Sequence, residues 1–280
     1  MKKLLLPALS VVLIFFVIYM YLAHEPNGIY KVINIYKNKK MRVYVKGHGE
    51  PVILLSGWAT ENPIDDFMPL IDKFSLDFKV IVPEYFGYGK SDLVETARIN
   101  KVVVQEIRTV LKKLNIEPPY ILMPHSMSGL YCLYYANYYP NEIYAIIGLD
   151  MSLPQKQLER WTEKTFERTK LNTQSSELNS TIINQWNCFY INSKELIDIK
   201  YNFNLPVLAF LASEQINAVN KMIELGEMRS SWEKINQNMV TNTKLQSIEI
   251  LHGGHYIHNS NSEKIYKLTR QFLNSINFMR

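Results

Sequence analysis

A chain of 280 residues, 47% apolar and 20% charged, has enough hydrophobic material for one large packed domain and is not a disordered polymer. Its net charge of +5, carried by lysines spread along the chain, gives no basis for nucleic-acid binding. Two cysteines, Cys132 and Cys188, make no disulfide framework. With no Cys/His cluster at metal-ligand spacing and no glycine-rich phosphate loop, no metal or organic cofactor is expected.

Met1-Lys2-Lys3 precedes Leu4 to Ala23, a run without a charge as long as a bilayer-spanning helix. It exceeds the apolar region of a cleaved signal, and Tyr21-Leu22-Ala23 is a poor small-x-small cleavage site. Residues 1–27 are therefore expected to be a signal-anchor and linker. Lys2 and Lys3 would hold the N-terminus in the cytoplasm and place residues 28–280 outside. The alternative is cleavage near Ala23 and secretion.

Tyr30 to Tyr36 and Met41 to Val45 have the alternation of strands, with Lys37-Asn38-Lys39-Lys40 as a turn. Pro51 to Leu55 is a buried strand ending in Ser56-Gly57-Trp58. Asp65 to Phe74 reads as a helix and Phe78 to Val82 as a strand. Val94 to Leu114 reads as one long amphipathic helix, with Val102, Val103, Ile107, Val110, Leu111 and Leu114 on one side. The apolar run Tyr120 to Met123 then enters His125-Ser126-Met127-Ser128-Gly129, followed by a largely apolar helical stretch that stops near Tyr139, before Pro140 and Asn141. Buried strand, one-residue corner and buried helix would give this pattern. A residue at such a corner is forced toward positive φ, and its side chain stands clear of the backbone. The first N–H groups of the following helix then face any oxyanion formed beside it.

Ile143 to Leu149 is another apolar strand and leads into Asp150. From about 152 to 201 the chain is polar and helical, with Trp161, Phe166, Trp186 and Phe189 among its charges, as a cap inserted over a site would be. The strand rhythm returns at Pro206 to Ala212 and is followed by Ser213-Glu214-Gln215. A polar helical stretch (Ala218 to Asn238), a last strand (Lys244 to Leu251), the segment His252-Gly253-Gly254-His255-Tyr256-Ile257-His258 and a terminal helix (Ile265 to Phe278) complete the chain. Alternation at this spacing implies an α/β domain whose mostly parallel sheet is covered by helices on both faces.

His125 to Gly129 resembles the nucleophile elbow of the α/β-hydrolase superfamily, usually Gly-x-Ser-x-Gly. Here Pro124 stands at the first glycine position and Ser128 at the second. Pro83-Glu84-Tyr85-Phe86-Gly87-Tyr88-Gly89-Lys90-Ser91-Asp92 is similar to the superfamily loop Pro-Asp-x-x-Gly-x-Gly-x-Ser-Asp, with Glu84 replacing the aspartate. The resemblance implies an α/β-hydrolase fold with a helical cap and a nucleophile at Ser126. It places the base at His255, which comes after two glycines beyond the last strand, with His252 and His258 as fallbacks. It also implies oxyanion donors from the N–H groups of Met127 and Trp58, with Ser56 where the superfamily carries histidine. Two carboxylates fit the chain order of the acid: Asp150, the preferred one, and Glu214, the alternative. His24 flanks the apolar N-terminal run, His48 lies in an early turn, and His125 is expected to project from the other side of the corner and pack.

The activity implied by the resemblance is hydrolysis of an ester, thioester or amide in a small-molecule acyl substrate, through an acyl-enzyme on Ser126. Halide displacement is not expected, because dehalogenases of this fold use a carboxylate nucleophile. A peptidase of the proline-iminopeptidase kind is one alternative. A surface binding protein that keeps the fold without catalysis is the other.

Overall fold

The computed structural model describes residues 28–154, 177–197, 204–227 and 231–277. The expected anchor, Leu4 to Ala23, and a large part of the expected cap lie outside these residues. Among the described residues no helix is long and apolar enough to cross a membrane.

Eight strands form one sheet: β1 (Ile29–Tyr36), β2 (Lys39–Lys46), β3 (Pro51–Leu55), β4 (Lys79–Pro83), β5 (Tyr120–Pro124), β6 (Ile143–Leu149), β7 (Val207–Ala212) and β8 (Gln246–Leu251). Their spatial order is β1-β2-β4-β3-β5-β6-β7-β8. β2 pairs antiparallel with β1 and with β4, and every other pairing is parallel. The expected turn is shorter than the four lysine-rich residues allowed, since Lys39 and Lys40 already pair in β2.

The helices are α1 (Pro63–Phe74), α2 (Asn100–Lys113), α3 (Ser128–Tyr138), α4 (Ser180–Asn187), α5 (Phe189–Leu196), α6 (Ser213–Glu224), α7 (Trp232–Gln237) and α8 (Ile257–Ser275). Successive side chains of a strand face opposite ways, and both faces of this sheet are apolar. Val52, Leu54, Ile121 and Met123 pack with Phe67, Ile71, Ile265 and Leu273 of α1 and α8. Ile53, Leu55 and Leu122 pack with Val103, Ile107, Leu130 and Tyr131 of α2 and α3. The central strands β3 and β5 are buried at every residue, as parallel strands between two helical layers must be.

Three helices depart from the sequence reading. The long helix expected over Val94 to Leu114 begins only at Asn100. Residues before it form a strap tied to the cap: the Val94 N–H donates to Thr181 Oγ1, and the Thr181 hydroxyl donates to the Val94 carbonyl, each at 2.9 Å. Arg98 is buried in that strap and gives two hydrogen bonds to the Glu106 carboxylate, at 2.9 and 2.6 Å. The buried side of α2 carries Val104 in place of Val102, together with Asn100 and Glu106, because it must meet these polar partners as well as the sheet. The polar helical stretch expected from Ala218 to Asn238 holds two helices, α6 and α7, and α6 starts earlier, directly at the end of β7. The terminal helix begins at Ile257 and not at Ile265, with a break in helical geometry at Asn261. Asparagine and serine are weak helix formers, so Asn259-Ser-Asn-Ser262 carried no helical signal.

Candidate active site

In open parallel sheets the ligand crevice lies beyond the carboxyl ends of the strands, and four such ends meet here. β3 delivers Gly57 and Trp58, β5 delivers Ser126, β6 delivers Asp150, and the segment after β8 delivers His255.

Ser126 has φ of 52°, the left-handed region that non-glycine residues avoid. Neighbouring strand ends hold it there. The His125 N–H donates to the Leu55 carbonyl at 2.8 Å, the Ser126 N–H to the Leu149 carbonyl at 3.3 Å, and the Ser152 N–H to the Ser126 carbonyl at 2.8 Å. Space is equally restrictive. A Cβ on Gly57 would lie 2.8 Å from His125 Nδ1 and 3.0 Å from Ser126 Cβ, and one on Gly129 would collide with the Ser152 carbonyl. Pro124 does not disturb the elbow: it continues the register of β5 opposite Leu55. Ser128 does more than fit. Its hydroxyl donates to the Ser56 carbonyl and pairs with the Tyr85 hydroxyl at 2.8 Å, tying the Ser56-Gly57-Trp58 turn to the start of α3.

The Ser126 hydroxyl lies 2.8 Å from His255 Nε2, and His255 Nδ1 lies 2.6 Å from Asp150 Oδ2. Asp150 is wholly buried and also sits at positive φ, 45°. Its other oxygen, Oδ1, accepts from the Trp232 indole N–H at 2.7 Å and from the Ala212 N–H at 3.2 Å. Carboxyl oxygens this deep need such donors in place of the water they have lost. Of the two carboxylates the sequence left open, the structure joins Asp150 to the imidazole. Glu214 is exposed in the first turn of α6, and its N–H donates to the Gly253 carbonyl at 3.1 Å. Among the described residues, neither the Met127 N–H nor the Trp58 N–H has a hydrogen-bond acceptor in the protein.

The fallback histidines take other places. His252 is exposed, and its carbonyl accepts from Asn261 Nδ2 at 2.9 Å. His258 is buried 3.0 Å from Asp66 of α1. His125 was expected to project away from the site. Instead it lines the same cavity as Ser126, and its Nε2–H donates to the His255 carbonyl at 3.0 Å. Because a carbonyl can only accept, Nε2 carries the proton. Burial first, then the neighbouring His258 and His255, hold this imidazole well below the usual histidine range, so it stays neutral. Its ring lies 4.7 Å from that of His255 and 4.8 Å from those of Tyr256 and His258.

Above Ser126 lies a cavity of about 230 Å³ walled by Trp58, Met127, Trp186, Phe189, Trp232 and Tyr256. The Trp58 indole N–H donates to the Ile182 carbonyl of α4 at 3.1 Å, and the Trp58 and Trp186 rings lie 5.0 Å apart. The described part of the cap is thus tied to the turn after β3. Trp232 is the site residue that sequence reasoning missed. It is separated from Asp150 by 82 positions and sits in a polar stretch with no motif around it, so its one signal is being a lone tryptophan among polar residues.

The family model for the alpha/beta hydrolase fold matches residues 50–272, so the chain belongs to the α/β-hydrolase fold family. The uncharacterised protein YbdG of Bacillus subtilis (strain 168) is 41% identical over 119 residues, which are 42% of this chain and 37% of that protein. The matched stretch spans little more than a third of the length of the curated relatives. Among solved structures, the epoxide hydrolase CorEH superposes with a TM-score of 0.67 at 14% identity, covering 89% of this chain and all of that one. A serine hydrolase involved in carbazole degradation, CarC, superposes with a TM-score of 0.57 at 15% identity, covering 88% and 99% of the two chains. At these identities the superpositions establish the fold, mostly parallel sheet and flanking helices included.

Proposed function

We propose that this protein is a serine hydrolase that cleaves an ester, thioester or amide bond through an acyl-enzyme on Ser126. The observation that carries the reading is the single hydrogen-bonded line from Ser126 through His255 to Asp150, set at a positive-φ corner. A serine hydroxyl needs a base to become a nucleophile. His255 Nε2 is within proton-transfer reach, and Asp150 fixes the tautomer with the proton on Nδ1 and stabilises the imidazolium that forms. As Ser126 Oγ attacks the acyl carbon, its proton passes to His255. The oxyanion falls to the N–H groups of Met127 and Trp58, which have no competing acceptor among the described residues. His255 then protonates the leaving group, and in the second half takes a proton from water to release the acid.

The left-handed conformations at Ser126 and Asp150 cost about 1–3 kcal/mol each. That cost at two of three residues in one line supports a functional site over a strand-end turn. Trp232 acts here as a positioning residue, since its indole holds Asp150 in the orientation His255 needs. In the same reading, the uncharged run Leu4 to Ala23 anchors the enzyme in the cell membrane with its catalytic domain outside, and its support is the sequence alone.

A fluorophosphonate probe tests the central claim. It should label the wild-type chain covalently and fail to label Ser126→Ala, with the modified peptide identified by mass spectrometry. A wild-type protein that resists the probe, or a Ser126→Ala variant that still reacts, would overturn the assignment.

A further inference from the structure

Resting on the acyl-enzyme reading, we infer that the substrate is an ester without a negative charge whose acyl part is compact, either one aromatic ring or an aliphatic chain of up to about six carbons. Size comes first. The cavity over Ser126 measures about 230 Å³, and an apolar cavity of about 150 Å³ is enough for a benzene ring. One ring of the acyl part and the ester atoms therefore fill it, and the alcohol part lies toward its open side.

The walls are braced against widening. Trp58 is fixed by its hydrogen bond to the Ile182 carbonyl, and Trp186 lies against it on one side. Trp186 also stacks on Phe189, with centroids 5.4 Å apart and planes 1° from parallel. Trp232, another residue of the lining, is fixed by its hydrogen bond to Asp150. Stretching such a wall to admit a long chain means breaking hydrogen bonds and stacked contacts together.

Charge comes second. Among the described residues lining the cavity there is no Lys, Arg, Asp or Glu. A carboxylate on the substrate would be desolvated there against the negative faces of the aromatic rings, with no counter-ion among the described residues, which is unfavourable. Aromatic walls instead suit a neutral acyl group, with rings meeting edge-to-face or offset. The step balances without a co-reactant other than water. The Oγ–acyl bond forms as the ester C–O bond breaks, and the serine proton leaves with the alcohol. Water then supplies the hydroxyl of the free acid and returns the proton to Ser126.

The test is a specificity series on the full-length chain in detergent: p-nitrophenyl acetate, butanoate, hexanoate, benzoate and dodecanoate, with mono-p-nitrophenyl glutarate as the anionic comparator. The expected kcat/KM peaks at butanoate, hexanoate or benzoate and falls about tenfold or more for dodecanoate and for the glutarate. Trp186→Ala, which removes one wall, should move the optimum toward longer chains. Dodecanoate or the glutarate turned over as well as butanoate, or a chain-length profile that Trp186→Ala leaves unmoved, overturns the inference. If the fluorophosphonate probe still labels Ser126 in that case, only the substrate class has failed; if it does not, the acyl-enzyme reading has failed first.

Discussion

His255 and His258 each hold an aspartate, the first 2.6 Å from Asp150 and the second 3.0 Å from Asp66, and both rings flank His125. Residue types, spacing and contact distances barely separate the two pairs. Their surroundings do. The His255 side chain is 32% exposed and presents its second nitrogen to Ser126, whereas the His258 side chain is wholly buried and its Nδ1 has no hydrogen-bond partner. Asp150 stands at a strand end in a left-handed conformation with two further donors. Asp66 lies in the first turn of α1, where a carboxylate suits the helix dipole, and is joined only loosely by Asn259 at 3.3 Å. A histidine–aspartate pair gains chemistry when one imidazole nitrogen faces a reacting group, and otherwise it is a clamp between two helices.

The sharpest way to break this comparison is Asp150→Asn. Loss of the carboxylate lets His255 adopt the wrong tautomer and removes the charge that stabilises the imidazolium, so turnover of a p-nitrophenyl ester should fall by about 10⁴-fold. Glu214→Gln, made beside it, should stay near wild type. If the two variants exchange these outcomes, Glu214 is the acid and the Asp150 pair is structural after all.

Trp232→Phe is a finer cut, because it deletes one N–H and keeps most of the ring. With one donor fewer, Asp150 is held less firmly in the orientation that His255 needs. kcat should therefore fall by about tenfold with KM little changed, the loss of a hydrogen bond to a charged group. A tryptophan that merely fills space would leave kcat in place and change only thermal stability.

How far these residues could be found from sequence depends on how local their signal is. The elbow was legible because strand, corner and helix are contiguous, and that contiguity produces the left-handed backbone at Ser126. His255 was legible through Gly253 and Gly254 before it. The acid was half legible: both Asp150 and Glu214 come after apolar strands, and which one reaches His255 depends on α6 starting at once after β7. That start turns Glu214 into a surface residue of a helix, and the polar stretch after Ala212 did not disclose it. Trp232 and the inward turn of His125 were illegible because each acts through a partner more than eighty residues away. The strap over residues 94–99 was misread for a related reason. Its apolar spacing continues that of α2, but its hydrogen bonds go to Thr181 and Asn184 of the cap, and periodicity carries no information about distant partners.

The smallest expected effect on activity belongs to the second pair, and it completes the contrast. Asp66→Asn keeps the size of the side chain and its contact with His258 while removing the charge. His258 lies against Phe67 with centroids 5.0 Å apart and joins α8 to α1, so the damage should appear as a loss of about 1–3 kcal/mol in unfolding free energy. Chemical denaturation of the variant measures it directly. Activity at a temperature where the variant is folded should change by no more than about threefold, since nothing in this pair touches Ser126. Should Asp66→Asn cost activity on the scale of Asp150→Asn without a matching loss of stability, the buried imidazole of His258 would have to belong to the proton path, and the distinction between the two pairs would fall.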